Sequence, residues 1–277
     1  MRVHAITTGS VQVTTRQRRG MGPEPLRPVL TMLDREFTPP LPIWAWAIEH
    51  PEGVIVVDTG ETARVMQPGH FPRWHPYFHL AVKFEVRPEQ EIGPQLRELG
   101  IEPGDVRRVV ITHMHTDHSG GLEHFPDSEI MVSSTEMKVA SGTMGRLRGF
   151  LPNRWPDWFE PTRFETRAEA FGPFDRSLPV TDAGDVRIVP TPGHTPGHVS
   201  VVLDEGEQLV LFAGDTSYDQ EMLVEGAIDG VSPKPKEARD TMRRIRELAA
   251  DRPTVYLPGH DREGERRLSE REPLTIS

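Results

Sequence analysis

Short apolar runs separated by glycine, proline and acidic residues set the rhythm of this chain, and two periods alternate along it. Near the N-terminus Val3, Ala5, Ile6, Val11 and Val13 alternate loosely with polar neighbours, which predicts the opening strands of a sheet. Residues 43–48 and 54–57 predict two further strands joined by a turn at His50, Pro51, Glu52 and Gly53. The second ends in Asp58, Thr59 and Gly60, where Asp58 either orients a metal ligand from behind or caps a turn. Ile92, Leu96 and Leu99 then take the spacing of one helical face, and Gly100 stops that helix. A strand over 107–112, another over 129–132 and a short helix starting near Ser133 or Ser134, either a suitable cap, complete the first half.

The second half repeats the strand period at 186–189, 199–203 and 208–212, with a turn over 204–207. An amphipathic helix over 235–250 carries Ala238, Met242, Ile245 and Leu248 inward, and its Arg239, Arg243, Arg244 and Arg246 read as a solvated face. A last strand covers 254–257. Three segments break the pattern. Residues 16–42, rich in proline, glycine and arginine, predict a long irregular excursion. Residues 61–88 hold Phe71, Trp74, Tyr77, Phe78 and Phe84 without a clean period, as either a satellite cluster under a loop or the wall of an apolar pocket, with His70, His75 and His79 read as structural. Residues 141–177 mix aromatics with proline and arginine, as an insert for substrate recognition, subunit contact or packing.

The strongest chemical signal follows the run Val109, Val110, Ile111. Residues 112–121 read THMHTDHSGG, so His113, His115, Asp117 and His118 place four metal-ligand side chains in six positions. Residues two apart in extended chain share a face, which turns His113 and His115 the same way, while Asp117 and His118 follow where the chain must turn. One histidine in a loop would be unremarked; four clustered donors suit two metals side by side. Imidazole with carboxylate suits zinc, iron, cobalt or manganese. The same event, an apolar strand ending beside glycine and a histidine or aspartate, recurs at His194 in TPGHTPGH, at Asp215 in AGDTSY and at His260 in PGHD.

The 277 residues suffice for a sizeable core, read as a single domain over 1–277. A formal net charge of −10 disfavours a nucleic-acid partner. With no cysteine, disulfides, thiolate metal sites and cysteine nucleophiles are excluded. No signal-peptide core or membrane-spanning apolar run is present, so a cytoplasmic protein with no membrane partner is expected. Aromatic excursions that would otherwise expose apolar surface lead us to expect a homodimer.

The His-x-His-x-Asp-His block, the later single histidine, the Gly-Asp element and the final Gly-His resemble, in order, the motifs of the metallo-β-lactamase superfamily across most of the chain. That resemblance implies an α+β fold, the four-layer αβ/βα sandwich, with a dinuclear site at one edge. It assigns His113, His115 and His194 to a first metal, Asp117, His118 and His260 to a second, and Asp215 to a bridge, with zinc the expected divalent ion at both. Histidine at 115 speaks against the flavodiiron branch, and the absence of cysteine against the β-lactamases that need a thiolate.

The GDTSY stretch and the LPIWAWAIEHPEGVIVVDTG region resemble the quorum-quenching N-acyl homoserine lactonases, which implies that Tyr218 hydrogen-bonds a small-molecule lactone. The implied reaction is attack on the lactone carbonyl by a hydroxide shared between the metals, with Tyr218 polarising the carbonyl and Asp117 carrying the proton to the leaving oxygen. Tyr218 as a packed aromatic stands against that role. A glyoxalase II-type thioesterase, or another esterase or lactonase of the fold, uses the same ligand set. A nuclease of the superfamily is disfavoured by charge, and a non-catalytic metal-binding protein by the presence of all seven ligands. His198 reads as supporting or packing, and His4 and His124 carry no pattern.

Overall fold

Trp44, Trp46 and Ile48 point to one side of their strand and Ala45 and Ala47 to the other, and both sides are buried. That is why the run 41–48 is continuously apolar: its strand has a sheet on one face and helices on the other. The computed structural model describes residues 1–276. Seven strands form the first sheet: β1 (Arg2–Val13), β2 (Leu41–Glu49), β3 (Val54–Val57), β4 (Val82–Glu85), β5 (Val106–Val110), β6 (Glu129–Ser133) and β7 (Thr162–Phe164), in the order β4-β1-β2-β3-β5-β6-β7. Five form the second: β8 (Leu178–Pro179), β9 (Val186–Pro190), β10 (Val199–Asp204), β11 (Leu209–Gly214) and β12 (Thr254–Pro258), in the order β12-β11-β10-β9-β8.

The helices are α1 (Thr15–Arg19), α2 (Arg27–Leu33), α3 (Tyr77–Leu80), α4 (Ile92–Glu98), α5 (Thr116–Ser119), α6 (Ser134–Ala140), α7 (Thr143–Leu147), α8 (Gln220–Glu225), α9 (Pro235–Asp251) and α10 (Gly264–Glu270). Trp44, Trp46, Val57 and Val110 of the first sheet meet Ile188, Val201, Phe212 and Leu257 of the second in the central core. Ile92 and Leu96 of α4 and Met137 of α6 cover the outer face of the first sheet, and Met242, Ile245 and Leu248 of α9 that of the second. The layers run helix, sheet, sheet, helix, which is the expected four-layer sandwich. Among the described residues no helix is long and apolar enough to cross a membrane.

Strand direction positions the site. β3 and β5 are parallel, as are β11 and β12. β10 is antiparallel to both β9 and β11, so β9 runs the same way as β11. The C-terminal ends of these strands therefore share one edge of the sandwich. Two backbone bonds tie the sheets there: Val199 N–H donates to the Thr112 carbonyl at 3.0 Å and Trp44 N–H to that of Gly259 at 3.1 Å.

Several expectations need correction. The opening alternation is one long strand with an irregularity between Thr7 and Ser10. The excursion 16–42 contains α1 and α2; α1 closes on Gly20 in the left-handed region, and Arg27-Pro28 opens α2. Both are too short to bury a periodic face, and Val29 and Leu33 stay exposed, so no period reached the sequence. Asp117 and His118 lie on a single helical turn, α5. Ser133 is the N-cap of α6 but makes no side-chain cap bond. Leu99 falls just past α4 and is exposed, while Ile101 is buried in its place.

Candidate metal centre

The predicted donors follow the ends of four strands, with Asp117 and His118 carried one step further on α5. β5 runs into Thr112 and His113; β9 leads to His194, β11 to Asp215 and β12 to His260. All seven donors converge. His113, His115 and His194 offer ligand atoms within 4.8 Å of one another, as do Asp117, His118 and His260, and likewise His113, His118 and Asp215. In the first group His113 Nε2 and His194 Nε2 lie 3.0 and 3.1 Å from His115 Nδ1. Asp215 reaches both groups, at 3.2 Å from His118 Nε2, 3.4 Å from His194 Nε2 and 3.5 Å from His260 Nε2, and Asp117 lies 3.6 Å from His260.

This set fits metal ions on two observations. His118 Nε2 and Asp215 Oδ1 are buried, face each other and have no hydrogen-bond partner. Unpaired polar atoms of that kind are costly unless something else satisfies them. The electrostatics agree. Burial pushes His113 well below its ordinary pKa and His115 to about 3, so both rings are neutral and offer lone pairs. At His118, His194 and His260 burial also opposes the charged ring, yet Asp215 together with Asp58, Asp229 and Asp117 outweighs it and shifts all three upward. Burial alone would raise Asp215, but His118 and His260 hold it well below the usual carboxylate range. The carboxylates favour positive charge at this edge, which divalent cations would supply.

Supporting residues fix the donors. Asp58, in the left-handed region at φ 58°, accepts from Thr112 N–H at 2.7 Å and from Thr112 Oγ1 at 2.8 Å, and its Oδ2 lies 2.8 Å from His118 Nδ1. Of its two alternatives, Asp58 thus orients His118, and it also holds the strand end. His198 accepts from Asp215 N–H at 3.0 Å and meets Thr191 Oγ1 at 2.9 Å, which makes Nδ1 the protonated nitrogen. Burial holds this ring near a pKa of about 3, consistent with that neutral form.

Two supporting residues escaped sequence reasoning. Glu136 is fully buried and accepts from Met114 N–H at 3.0 Å, Thr195 Oγ1 at 2.7 Å and Gly197 N–H at 3.1 Å, so one carboxylate braces the 113–115 and 194–198 loops. Gly197 permits this close approach, because a Cβ there would sit 2.2 Å from the Glu136 backbone nitrogen. The spacing of Ser133 and Glu136 would read as a capping box, which hides this role. Asp229 lies 3.3 Å from His194 Nδ1 and carried no signal. His4 and His124 lie elsewhere, against Glu49 and Glu91.

Five of the donors, His115, Asp117, His194, Asp215 and His260, floor a cavity of about 420 Å³. Much of its wall comes from the three segments that broke the sequence pattern, through Met32, Trp74, Tyr77, Phe78, Leu147 and Phe150. The aromatic excursion is therefore both cluster and pocket wall, with His75 buried among Trp74, Tyr77 and Phe78. Phe150 of the 141–177 segment packs on His115 at 4.8 Å between ring centres. Tyr218 also lines the cavity; its ring stacks on His260 at 5.4 Å, and burial pushes its hydroxyl well above the ordinary phenol pKa, so it keeps its proton.

The sequence profile of the metallo-beta-lactamase superfamily matches residues 38–260. The chain belongs to that superfamily. Among relatives within it, an N-acyl homoserine lactonase of Bacillus thuringiensis is 29% identical over 234 residues, covering 82% of this chain and 84% of that protein. A probable metallo-hydrolase of Mycobacterium tuberculosis is 28% identical over 220 residues, covering 73% of this chain and 68% of its own length. Among superfamily structures, an N-acyl homoserine lactone hydrolase with N-hexanoyl-L-homoserine bound at its catalytic metal centre superposes with a TM-score of 0.75 at 22% identity, over 95% of this chain and 94% of that one. AidC, a dizinc quorum-quenching lactonase, superposes with a TM-score of 0.68 at 15% identity, over 95% and 88% of the two chains. At these identities the two structures speak for the fold.

Proposed function

We propose that the chain is a dinuclear metal-dependent hydrolase that opens the lactone ring of N-acyl homoserine lactones. One observation carries the proposal: a two-group donor set opens, through His115, Asp117, His194, Asp215 and His260, onto a cavity whose remaining wall is mostly apolar, with Arg148 its one other charged side chain beside a few hydroxyl, amide and ring groups. His113, His115 and His194 would hold one ion and Asp117, His118 and His260 the other, with Asp215 within reach of both groups. When bound, two divalent ions polarise a carbonyl and make water a nucleophile near neutral pH. The chain's own residues do the rest. The Tyr218 hydroxyl donates to the carbonyl oxygen as negative charge develops there. Asp117, 15% exposed in its side chain where His118 and His260 are sealed, carries the proton to the ring oxygen as the acyl C–O bond breaks. Trp74, Phe78, Leu147 and Phe150 receive the acyl chain and exclude water, so the 141–177 segment serves recognition. The product is an N-acyl homoserine. The homoserine lactonases among its relatives support this substrate class.

The test is the hydrolysis rate of a medium-chain N-acyl homoserine lactone by metal-analysed protein, beside a glutathione thioester under identical conditions. Fast lactone opening with two metals per chain is expected. Slow lactone and fast thioester turnover would leave the donor set in place, return Tyr218 to packing and make the chain a thioesterase.

A further inference from the structure

Gln17 belongs to the excursion that the sequence left without a role. It sits on α1, 1% exposed, and its backbone carbonyl accepts from Gly230 N–H at 2.6 Å. Its side-chain nitrogen lies 2.8 Å from the Tyr218 hydroxyl and 2.9 Å from the Tyr77 hydroxyl. Two phenols from distant parts of the chain, one after β11 and one on α3, thus meet on a single amide group. An amide nitrogen carries two N–H donors and no acceptor, so in both contacts the phenol oxygen accepts. Each phenol then still owns its proton and must donate it elsewhere. All three residues line the cavity floored by Asp117, His194, Asp215 and His260, and the stacking of Tyr218 on His260 fixes the plane in which its hydroxyl sits.

We propose that Gln17 is a positioning residue which, by donating to both phenols, presents Tyr218 and Tyr77 as a matched pair of O–H donors to the substrate. The assignment of substrate oxygens rests on the lactonase reading: Tyr218 meets the carbonyl under attack and Tyr77 the neighbouring amide carbonyl. The substrate class this selects is an ester or lactone with a second carbonyl a few bonds from the first. Tyr77 becomes a substrate-contacting residue in place of a pocket wall, and α1 becomes part of the catalytic end.

The experiment uses the full-length, metal-loaded protein and two readouts. The first needs no substrate. The chain has three tyrosines, and the third, Tyr256, is occupied with Thr216 and Ser217 away from Gln17. The tyrosine Raman doublet, which separates accepting from donating phenols, is therefore expected to change in Q17M, and to change likewise between Y256F and Y256F/Q17M, where only the two phenols on Gln17 remain. The second readout is a double-mutant cycle of Q17M with Y218F, run on whichever lactone, ester or thioester the wild type turns over fastest. Q17M is expected to lower kcat about tenfold in the wild-type background and less than about twofold in Y218F, because the two act as a unit. Y77F is expected to act mainly on KM, and only with substrates that carry the second carbonyl.

An unchanged doublet, or equal losses from Q17M in both backgrounds, would overturn the proposal and leave Gln17 a structural tie. Should Q17M be unstable, Q17E keeps the shape but offers an oxygen where the amide donated; it is expected to be slower than the wild type, and an unimpaired Q17E would overturn the orientation. If homoserine lactones are inert while the cycle couples on another ester, the lactonase reading falls and Gln17 keeps its role. If lactones open rapidly and the cycle is additive, the reverse holds.

Discussion

Replacing Tyr218 by phenylalanine removes one hydroxyl and leaves the ring stacked on His260, so metal content should not change. If the hydroxyl stabilises the developing oxyanion, kcat on lactones should fall by about 10- to 100-fold, less than the ~10²–10³ lost with a sole oxyanion donor because metal ions share the task. Wild-type kinetics in Y218F on every lactone would end that role. Glu136 makes a different prediction. Its three acceptor bonds hold the loops of His113, His115 and His194 without touching a metal ligand's ring, so E136A should weaken metal affinity by about 10- to 100-fold. E136Q should lose less, since one of its two side-chain groups still accepts. Metal-buffer titration reads both; affinity unchanged in E136A would make Glu136 a packing residue. The contrast between these residues also explains what was legible. Tyr218, the histidines and the aspartates announce themselves by residue type beside glycine at strand ends, whereas Glu136 and Asp229 act only through contacts made across 22 or more positions of sequence.

At the scale of elements, the strands were legible because the two-residue period and the continuous apolar runs follow directly from burial on one or both faces. The short helices α1, α2, α3 and α7 were not, because a helix of two turns or fewer held by its neighbours needs no periodic face of its own. The arginines of α9 were read as solvated. Arg243 and Arg244 do pair with Asp240 on the same helix, but Arg246 donates to the carbonyls of Leu223 and Val224 near the end of α8 and so joins two elements. Just past α9, Arg252 meets Asp204 at the end of β10 with two bonds of 2.9 and 2.7 Å. That guanidinium holds the Asp204 carboxyl below its ordinary value of 3.8. A depressed folded-state pKa gives stability that is present above the unfolded value and is lost as pH falls through the folded one. D204N should therefore be less stable than the wild type at neutral pH, and the two should converge as pH falls below about 4. Denaturant melts across that range would show it, and a pH-independent gap would assign the effect to packing.

For the whole molecule the decisive feature is where the two sheets meet. The edge that gathers Asp58, Asp117, Asp215 and Asp229 concentrates negative charge in a protein that already carries −10, so the folded chain should be stabilised by the cations it binds. At metal concentrations near 100 times Kd each site should add about 2.7 kcal/mol, or roughly 5–10 °C in Tm. Scanning calorimetry with and without a chelator measures this, and a Tm indifferent to chelation would contradict the metal centre. Readdition of metal should restore Tm and hydrolysis together, which separates metal loss from irreversible unfolding.

The sequence by itself determined the strands, the two long-range halves of the ligand pattern and hence the superfamily, because strand periodicity and ligand chemistry are local properties that survive in one dimension. Only the tertiary structure decided that three patternless segments form one cavity, that Glu136 and Asp229 serve the ligand loops, and that Gln17 meets Tyr77 and Tyr218. Those facts depend on which chain segments become neighbours when both sheets close, and no spacing along the chain encodes a contact between residues 17, 77 and 218.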